Sequence, residues 1–205
     1  MTDLPLLTYV ATMSVTPGPN NLMLAASGVN FGFRRTVPHM LGISIGHGIQ
    51  VAIVAGLLAW VMAWLDDMRL GLVLAGCAYL LWLAWRQAQA GQPGGGKSAQ
   101  PLGFIGAALF QWVTPKAWMM VLNAAILFLP RGGGWGAALS LALICTVVNL
   151  PCIALWAVVG DRLHFRLRDP RALRVFNYAM ALLLAATAVW IVADEITQNW
   201  SYPTV

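Results

Sequence analysis

Apolar residues run in six long stretches, at about residues 4–28, 37–65, 69–88, 102–130, 134–160 and 171–194, with polar residues gathered in the short segments between. Each stretch is long enough for the about 20 residues that a helix needs to cross a bilayer. The pattern therefore predicts an all-α membrane protein with six spans. Between the third and fourth spans, Ala90-Gly91-Gln92-Pro93-Gly94-Gly95-Gly96-Lys97-Ser98 has the glycine and polar content of a flexible linker. The expected organisation is a first three-helix repeat over 1–89, a cytoplasmic linker over 90–101 and a second three-helix repeat over 102–205, together one membrane domain.

The first and fourth spans are each interrupted by the same tripeptide, Val15-Thr16-Pro17 and Val113-Thr114-Pro115. Thr can cap a helix, Pro suits its first position, and the residue before Pro is pushed out of α geometry. Both copies read as the start of a half-helix near the bilayer midplane, at Pro17 and at Pro115. Pro17-Gly18-Pro19 lengthens the first break, since Gly18 permits unusual backbone angles and Pro19 removes another donor. Paired interruptions at matching places in two halves point to a transporter's substrate site.

Composition agrees with a membrane protein and excludes an ordinary soluble domain: hydrophobic residues make up 60% and charged residues 9%, and mean hydropathy is +0.73. The net charge of +5 lies in short loops and not in one patch, so topology explains it better than nucleic acid does. Arg34, Arg35, Arg86, Lys97, Arg162, Arg166, Arg168, Arg171 and Arg174 fall after spans one, three and five, whereas the other side holds Arg69 and Arg131. By the positive-inside rule both termini face away from the cytoplasm. Asp3, Asp66, Asp67, Asp194 and Glu195 fall on that outer side. Three helices per half then place the second half in the membrane upside down, which makes the two breaks an inverted pair. The opening residues lack the basic start of a signal peptide and no A-x-A-like site follows, so the first span is expected to be retained.

Half-helices starting at the two breaks aim their N–H groups and positive dipole ends at the midplane from opposite sides, where a small carboxylate is a natural partner. Asn20 and Asn21 follow in the first turn with amide donors and acceptors. Lys116 is the only Lys or Arg near the centre of a span. It lies about 14 residues, or roughly 21 Å, from the start of its helix, too deep for simple snorkelling. Two readings stand: a counter-ion or proton acceptor in a substrate cavity, or a structural partner of carbonyls freed by Pro115. No Asp or Glu occupies the middle of a span, which disfavours a cationic substrate, a metal and carboxylate-based proton coupling. His47 and Lys116 remain as the proton-coupling candidates, although His47 also suits a hydrogen-bonded core position.

Gly42 and Gly46 form a small-xxx-small pair that brings span two close to a neighbour, with Gln50 one turn on as either a cavity residue or an interhelical hydrogen bond. Asn149 and Pro151 are expected to interrupt span five, with Asn149 a further cavity candidate. Trp60, Trp64, Trp82, Trp85 and Trp200 lie near span ends and read as interfacial anchors. Cys77, Cys145 and Cys152 sit in apolar stretches without C-x-x-C spacing and read as buried thiols. A membrane-embedded thiol oxidoreductase-like enzyme and a non-transporting membrane assembly subunit are the rival classes. The first needs a paired reactive cysteine; the second needs neither paired half-helices nor a central lysine.

Thr16-Pro17-Gly18-Pro19-Asn20-Asn21, then Gly32-Phe33-Arg34 and glycines 42 and 46, resemble the amino-terminal signature of the LysE/RhtB amino-acid exporters. The likeness continues through Ala78-Tyr79-Leu80-Leu81-Trp82-Leu83, through Thr114-Pro115-Lys116 where the family often has Asn-Pro-Lys, and through Gly160-Asp161-Arg162-Leu163 to Arg174-Val175-Phe176-Asn177. The double Asn looks most like the cysteine/O-acetylserine exporter branch. Lysine and arginine exporters often carry an acid in the second helix where this chain has His47, which favours neutral substrates. The last span has Ala179 to Ala181 where relatives often place a glycine. The resemblance implies a non-enzymatic, proton-driven exporter of small neutral amino acids in a bacterial-type inner membrane. Its partners are the substrate and the lipid bilayer; it needs no cofactor, metal or nucleic acid, and is compatible with a homo-oligomer. The substrate site is expected from Thr16, Pro17, Gly18, Pro19, Asn20, Asn21, Thr114, Pro115, Lys116 and Asn149.

Overall fold

The computed structural model describes residues 4–89, 101–130, 134–164 and 169–201. Among these residues the chain is helical throughout, as α1 (Leu4–Val15), α2 (Pro19–Phe31), α3 (Phe33–Gly56), α4 (Leu58–Gln89), α5 (Phe104–Val113), α6 (Pro115–Phe128), α7 (Gly134–His164) and α8 (Pro170–Ser201). The spans expected at 4–28 and 102–130 are the broken pairs α1–α2 and α5–α6. Residues 90–100 of the linker, with Lys97, lie outside the described residues, as do Asp3, Arg131, Arg166 and Arg168.

Much of the described surface is apolar, and the mostly apolar core encloses several polar groups. Leu139, Leu143 and Val147 on α7 and Val175, Leu182 and Val189 on α8 are exposed, whereas Ser14, Asn21, His47, Gln111 and Asn149 are buried. Lipid is the solvent that such a distribution suits, because it satisfies apolar side chains and offers nothing to polar ones. The helices α3, α7 and α8 contain stretches long and apolar enough to cross a membrane, while α1, α5 and α6 are apolar but shorter. α3 packs against α7 and α4 against α8; the pair α1–α2 lies along α7, and α5–α6 along α3.

Glycine sets the closest crossings. A Cβ on Gly42 would meet the backbone of Phe104, and one on Gly46 would come within 2.6 Å of Ala108 Cα, so α3 and α5 touch through their backbones. The small-xxx-small reading of this pair is thus a packing device. α2 and α7 cross in the same way, Gly28 against Ala157 O and Gly160 against Ala25 O.

Three expectations change. The first half-helix begins at Pro19, not Pro17, because two prolines one residue apart push both Thr16 and Gly18 out of α geometry; Gly18 is fully extended at φ −174° and ψ 173°. Pro151 sits inside α7 without interrupting it. The second boundary moves as well: the chain turns at Leu57, and α4 then runs through Asp66, Asp67 and Arg69, where a loop was expected. The side chains of those three residues, and those of Trp60, Trp64, Asp194, Glu195 and Trp200, lie outside the described residues. Trp82 and Trp85 are exposed toward the end of α4, as interfacial anchors would be.

Candidate functional site

Each proline of the two breaks deprives the carbonyl four residues before it of a donor, and the fold replaces those donors with side chains. In the first break Pro17 strands Met13 O, which takes the Thr16 hydroxyl at 2.8 Å. Pro19 strands Val15 O, which accepts Trp156 Nε1 from α7 at 3.0 Å. The extended Gly18 leaves Ser14 O to Asn21 Nδ2, at 2.7 Å, and the same amide also reaches Thr16 O at 2.8 Å. In the second break Pro115 strands Gln111 O, which accepts Gln50 Nε2 from α3 at 3.2 Å. Phe110 O takes the Thr114 hydroxyl at 2.6 Å, and Trp112 O takes Trp118 Nε1 at 2.8 Å. Buried backbone groups left unpaired in lipid would cost several kcal/mol each, so these bonds are what makes the interruptions tolerable.

Neither threonine caps the following helix. Thr114 occupies the N-cap position of α6 and Gly18 that of α2, both without a side-chain cap bond. Both hydroxyls bond backward to the preceding half-helix instead. Gln50 resolves as an interhelical hydrogen bond.

Lys116 joins the two breaks. Its ammonium donates to Thr16 O at 2.8 Å and to Thr16 Oγ1 at 2.9 Å, and more loosely to Pro17 O at 3.4 Å. The carbonyls it meets are those freed in the first break and not, as its structural reading supposed, those freed by Pro115. Gly18 makes room for it: a Cβ there would lie 2.9 Å from Lys116 Cδ and 3.1 Å from Nζ.

Beside this junction lies a small cavity, partly open to the outside. Gly18, Pro19, Asn20, Asn21, Thr114, Lys116, Asn149 and His47 all line it. Of the expected site residues, Thr16, Pro17 and Pro115 stand behind the wall and not on it. Met13, Ile43, Met120 and Ile153 supply an apolar side, and no Asp or Glu is among the lining residues. Ser14 and Gln111 complete the polar side. The sequence reading passed over both, along with Trp156. Gln111 was findable, being the residue whose carbonyl Pro115 strands.

Two acceptors in the cavity wall are unspent. Asn20 donates through Nδ2 to Gln111 Oε1 at 3.0 Å, and Gln111 Nε2 donates in turn to Ala107 O at 3.1 Å. That chain fixes both amides, so Asn20 presents its oxygen, which is buried without a partner. Asn149 donates to Ser14 Oγ at 2.9 Å and likewise leaves Oδ1 buried and unpartnered. The residues lining this one small chamber thus include a cation, Lys116, and two amides, Asn20 and Asn149, whose oxygens are buried without a partner, a set that suits a ligand carrying an anion and an ammonium together. Among the described residues no cluster of His, Cys, Asp or Glu could hold a metal ion. Cys77, Cys145 and Cys152 are free thiols, the first two buried.

Comparison with known proteins is consistent over about nine-tenths of the chain. Residues 11–195 match the model of the LysE type translocator family. The cysteine/O-acetylserine efflux protein of Escherichia coli (strain K12) is 33% identical over 190 residues, covering 90% of this chain and 94% of that protein. Its namesake from Klebsiella pneumoniae is 35% identical over 195 residues, covering 92% and 95%. No solved structure matches.

Proposed function

Because the chain belongs to the family of LysE type translocators, we propose that it exports small neutral amino acids across the bacterial inner membrane, by alternating access around the chamber at the two helix breaks. It is a transporter and not an enzyme. The observation that carries the substrate class is the pairing of the Lys116 ammonium with the unpartnered oxygens of Asn20 and Asn149 in one cavity without a carboxylate. The substrate carboxylate takes the ammonium proton that Pro17 O holds only at 3.4 Å. The α-ammonium then satisfies Asn20 and Asn149, and the side chain lies against Met13, Ile43, Met120 and Ile153. Cysteine and O-acetylserine, the substrates named for the relatives, are small molecules that carry this pair of charges.

The two three-helix repeats, 1–89 and 102–205, are proposed to be related by an axis in the membrane plane. Support comes from the exchange of repairs: α7 of the second half mends the first break through Trp156, and α3 of the first half mends the second through Gln50. Rocking one half on the other therefore moves both breaks together. A transported proton is proposed to use Lys116 or His47, which share the cavity wall.

Asn149→Leu tests the ammonium half of the site. Losing one charge-assisted hydrogen bond is worth about 1.5–3 kcal/mol, so the half-saturating concentration of O-acetylserine in proteoliposomes should rise by roughly tenfold or more. An unchanged value removes Asn149 from the site. Topology has its own test, with both termini proposed outside and the 90–101 linker inside. A cysteine tag in the linker should resist impermeant reagents on intact cells, while tags at either terminus should react. Reversed labelling would contradict the inverted arrangement.

A further inference from the structure

A second cavity lies at the other end of α2, lined by Ser27, His39, Arg86 and Gln87 together with Met23 and Leu184. It stands in register with the first. Along α2, Asn20 lines the midplane cavity and Ser27 the second one; along α3, His47 lines the first and His39 the second. Seven and eight residues of helix put the two chambers about 10–12 Å apart. By the charge bias of its flanking loops, this end faces the cytoplasm.

One of its polar groups is idle. His39 is only 1% exposed, yet neither ring nitrogen has a hydrogen-bond partner, so a neutral imidazole offers one stranded donor and one stranded acceptor. Thr36 spends its proton on Gly32 O at 2.9 Å, so Ser27, 2.8 Å away, must donate to Thr36 and turns only acceptor capacity outward. Gln87 is anchored by donating to Asn177 Oδ1 at 2.8 Å, and Asn177 is clasped in turn by Asn30. Arg86 holds its guanidinium 4.9 Å from the ring centre of Trp82. The chamber thus contains one fixed cation, a buried donor and two acceptors, with no acid among its lining residues.

We propose that this chamber is an entry site, which takes the transported amino acid as a zwitterion from the cytoplasmic side before it reaches the midplane cavity. Arg86 binds its carboxylate, and Ser27 Oγ and the acceptor nitrogen of His39 receive its ammonium. The assignment rests on the transport reading above for its ligand and its sidedness. It goes beyond that reading in giving the chain two consecutive sites with the same chemical preference.

The test uses the full chain in nanodiscs, with Cys77, Cys145 and Cys152 replaced by Ala and one reporter thiol introduced by Gln87→Cys. O-acetylserine should slow alkylation of that thiol by N-ethylmaleimide, and acetylated ethanolamine, which lacks the carboxylate, should not. Arg86→Gln should raise the half-protecting concentration by about tenfold, the loss of one charge-assisted bond. Lys116→Met should leave it within about twofold, since that change touches only the midplane site. Leu184→Cys provides a second reporter, and Asn149→Leu a second midplane variant, where the first choice yields no folded protein. Equal protection by the carboxylate-free analogue, or loss of protection with Lys116→Met, overturns the entry site. Transport by the parent protein without protection at either reporter overturns it too while leaving the transport reading intact; absence of both removes both.

Discussion

Replacing Lys116 by Met should reduce export to background while leaving the protein folded. The bonds that Lys116 makes suggest at first a structural role, but none of its partners would be stranded by its loss. Thr16 O keeps the Asn21 amide at 2.8 Å, Thr16 Oγ1 keeps its own bond to Met13 O, and the contact to Pro17 O is exposed. Against that small loss stands the removal of a central lysine, which costs about 2.5–3.5 kcal/mol on insertion scales. Folding stability should therefore change by no more than about 1 kcal/mol, the worth of an ordinary hydrogen bond. Transport is a different matter, because truncating one partner of a buried charge pair costs about 2–5 kcal/mol. At a middle value the flux falls by about two orders of magnitude. Melting temperature and proteoliposome flux measured on one preparation decide it. A stable variant with undiminished flux would remove Lys116 from the site, and an unfolded one would make the lysine structural.

Gly46→Leu should have the opposite signature, losing the folded protein altogether. A Cβ at position 46 already lies 2.6 Å from Ala108 Cα and 2.9 Å from its Cβ, and a leucine adds three more carbons against a backbone with nowhere to move. Overpacking of a tight interface costs about 1–3 kcal/mol even where side chains can rearrange; here α5 itself must shift. Because α5 carries Gln111, which orients Asn20, the smaller change Gly46→Ala should weaken substrate binding before it destroys the fold. Detergent-solubilised yield and size-exclusion profile read the first effect, and the half-saturating concentration reads the second. Normal yield and transport for Gly46→Leu would show that α3 and α5 are not in backbone contact.

The breaks were legible because proline acts locally: Thr-Pro in an apolar run forces a departure from helix whatever surrounds it. The starting residue of α2 slipped by two positions for an equally local reason, the second proline at 19. What the sequence did not show was how the breaks are repaired. In the sequence Trp156 is one more aromatic in an apolar run, and Ser14 one small polar residue among apolar ones. Their partners are 141 and 135 residues away in the chain, at Val15 and Asn149. The turn at Leu57 was equally hidden, because apolar residues continue on both sides of it and the charges at 66, 67 and 69 mimic a loop. His39 escaped notice because nothing in its local sequence distinguishes a partnered histidine from an idle one. Lys116 was found from its depth, yet its partners on the opposite half-helix are a tertiary fact. Charge and proline are strong enough to be read one residue at a time, whereas hydrogen bonds between distant helices are not.

Selection of a zwitterion with a small uncharged side chain by the midplane chamber can be measured with the purified wild-type protein in proteoliposomes, offered a panel of radiolabelled amino acids under an imposed proton gradient. Saturable transport should appear for small neutral substrates such as cysteine and O-acetylserine, and should be absent for lysine and arginine, whose second cation finds no carboxylate in the cavity wall. Saturable transport of lysine at a comparable rate would show that the chamber does not select against a second cation.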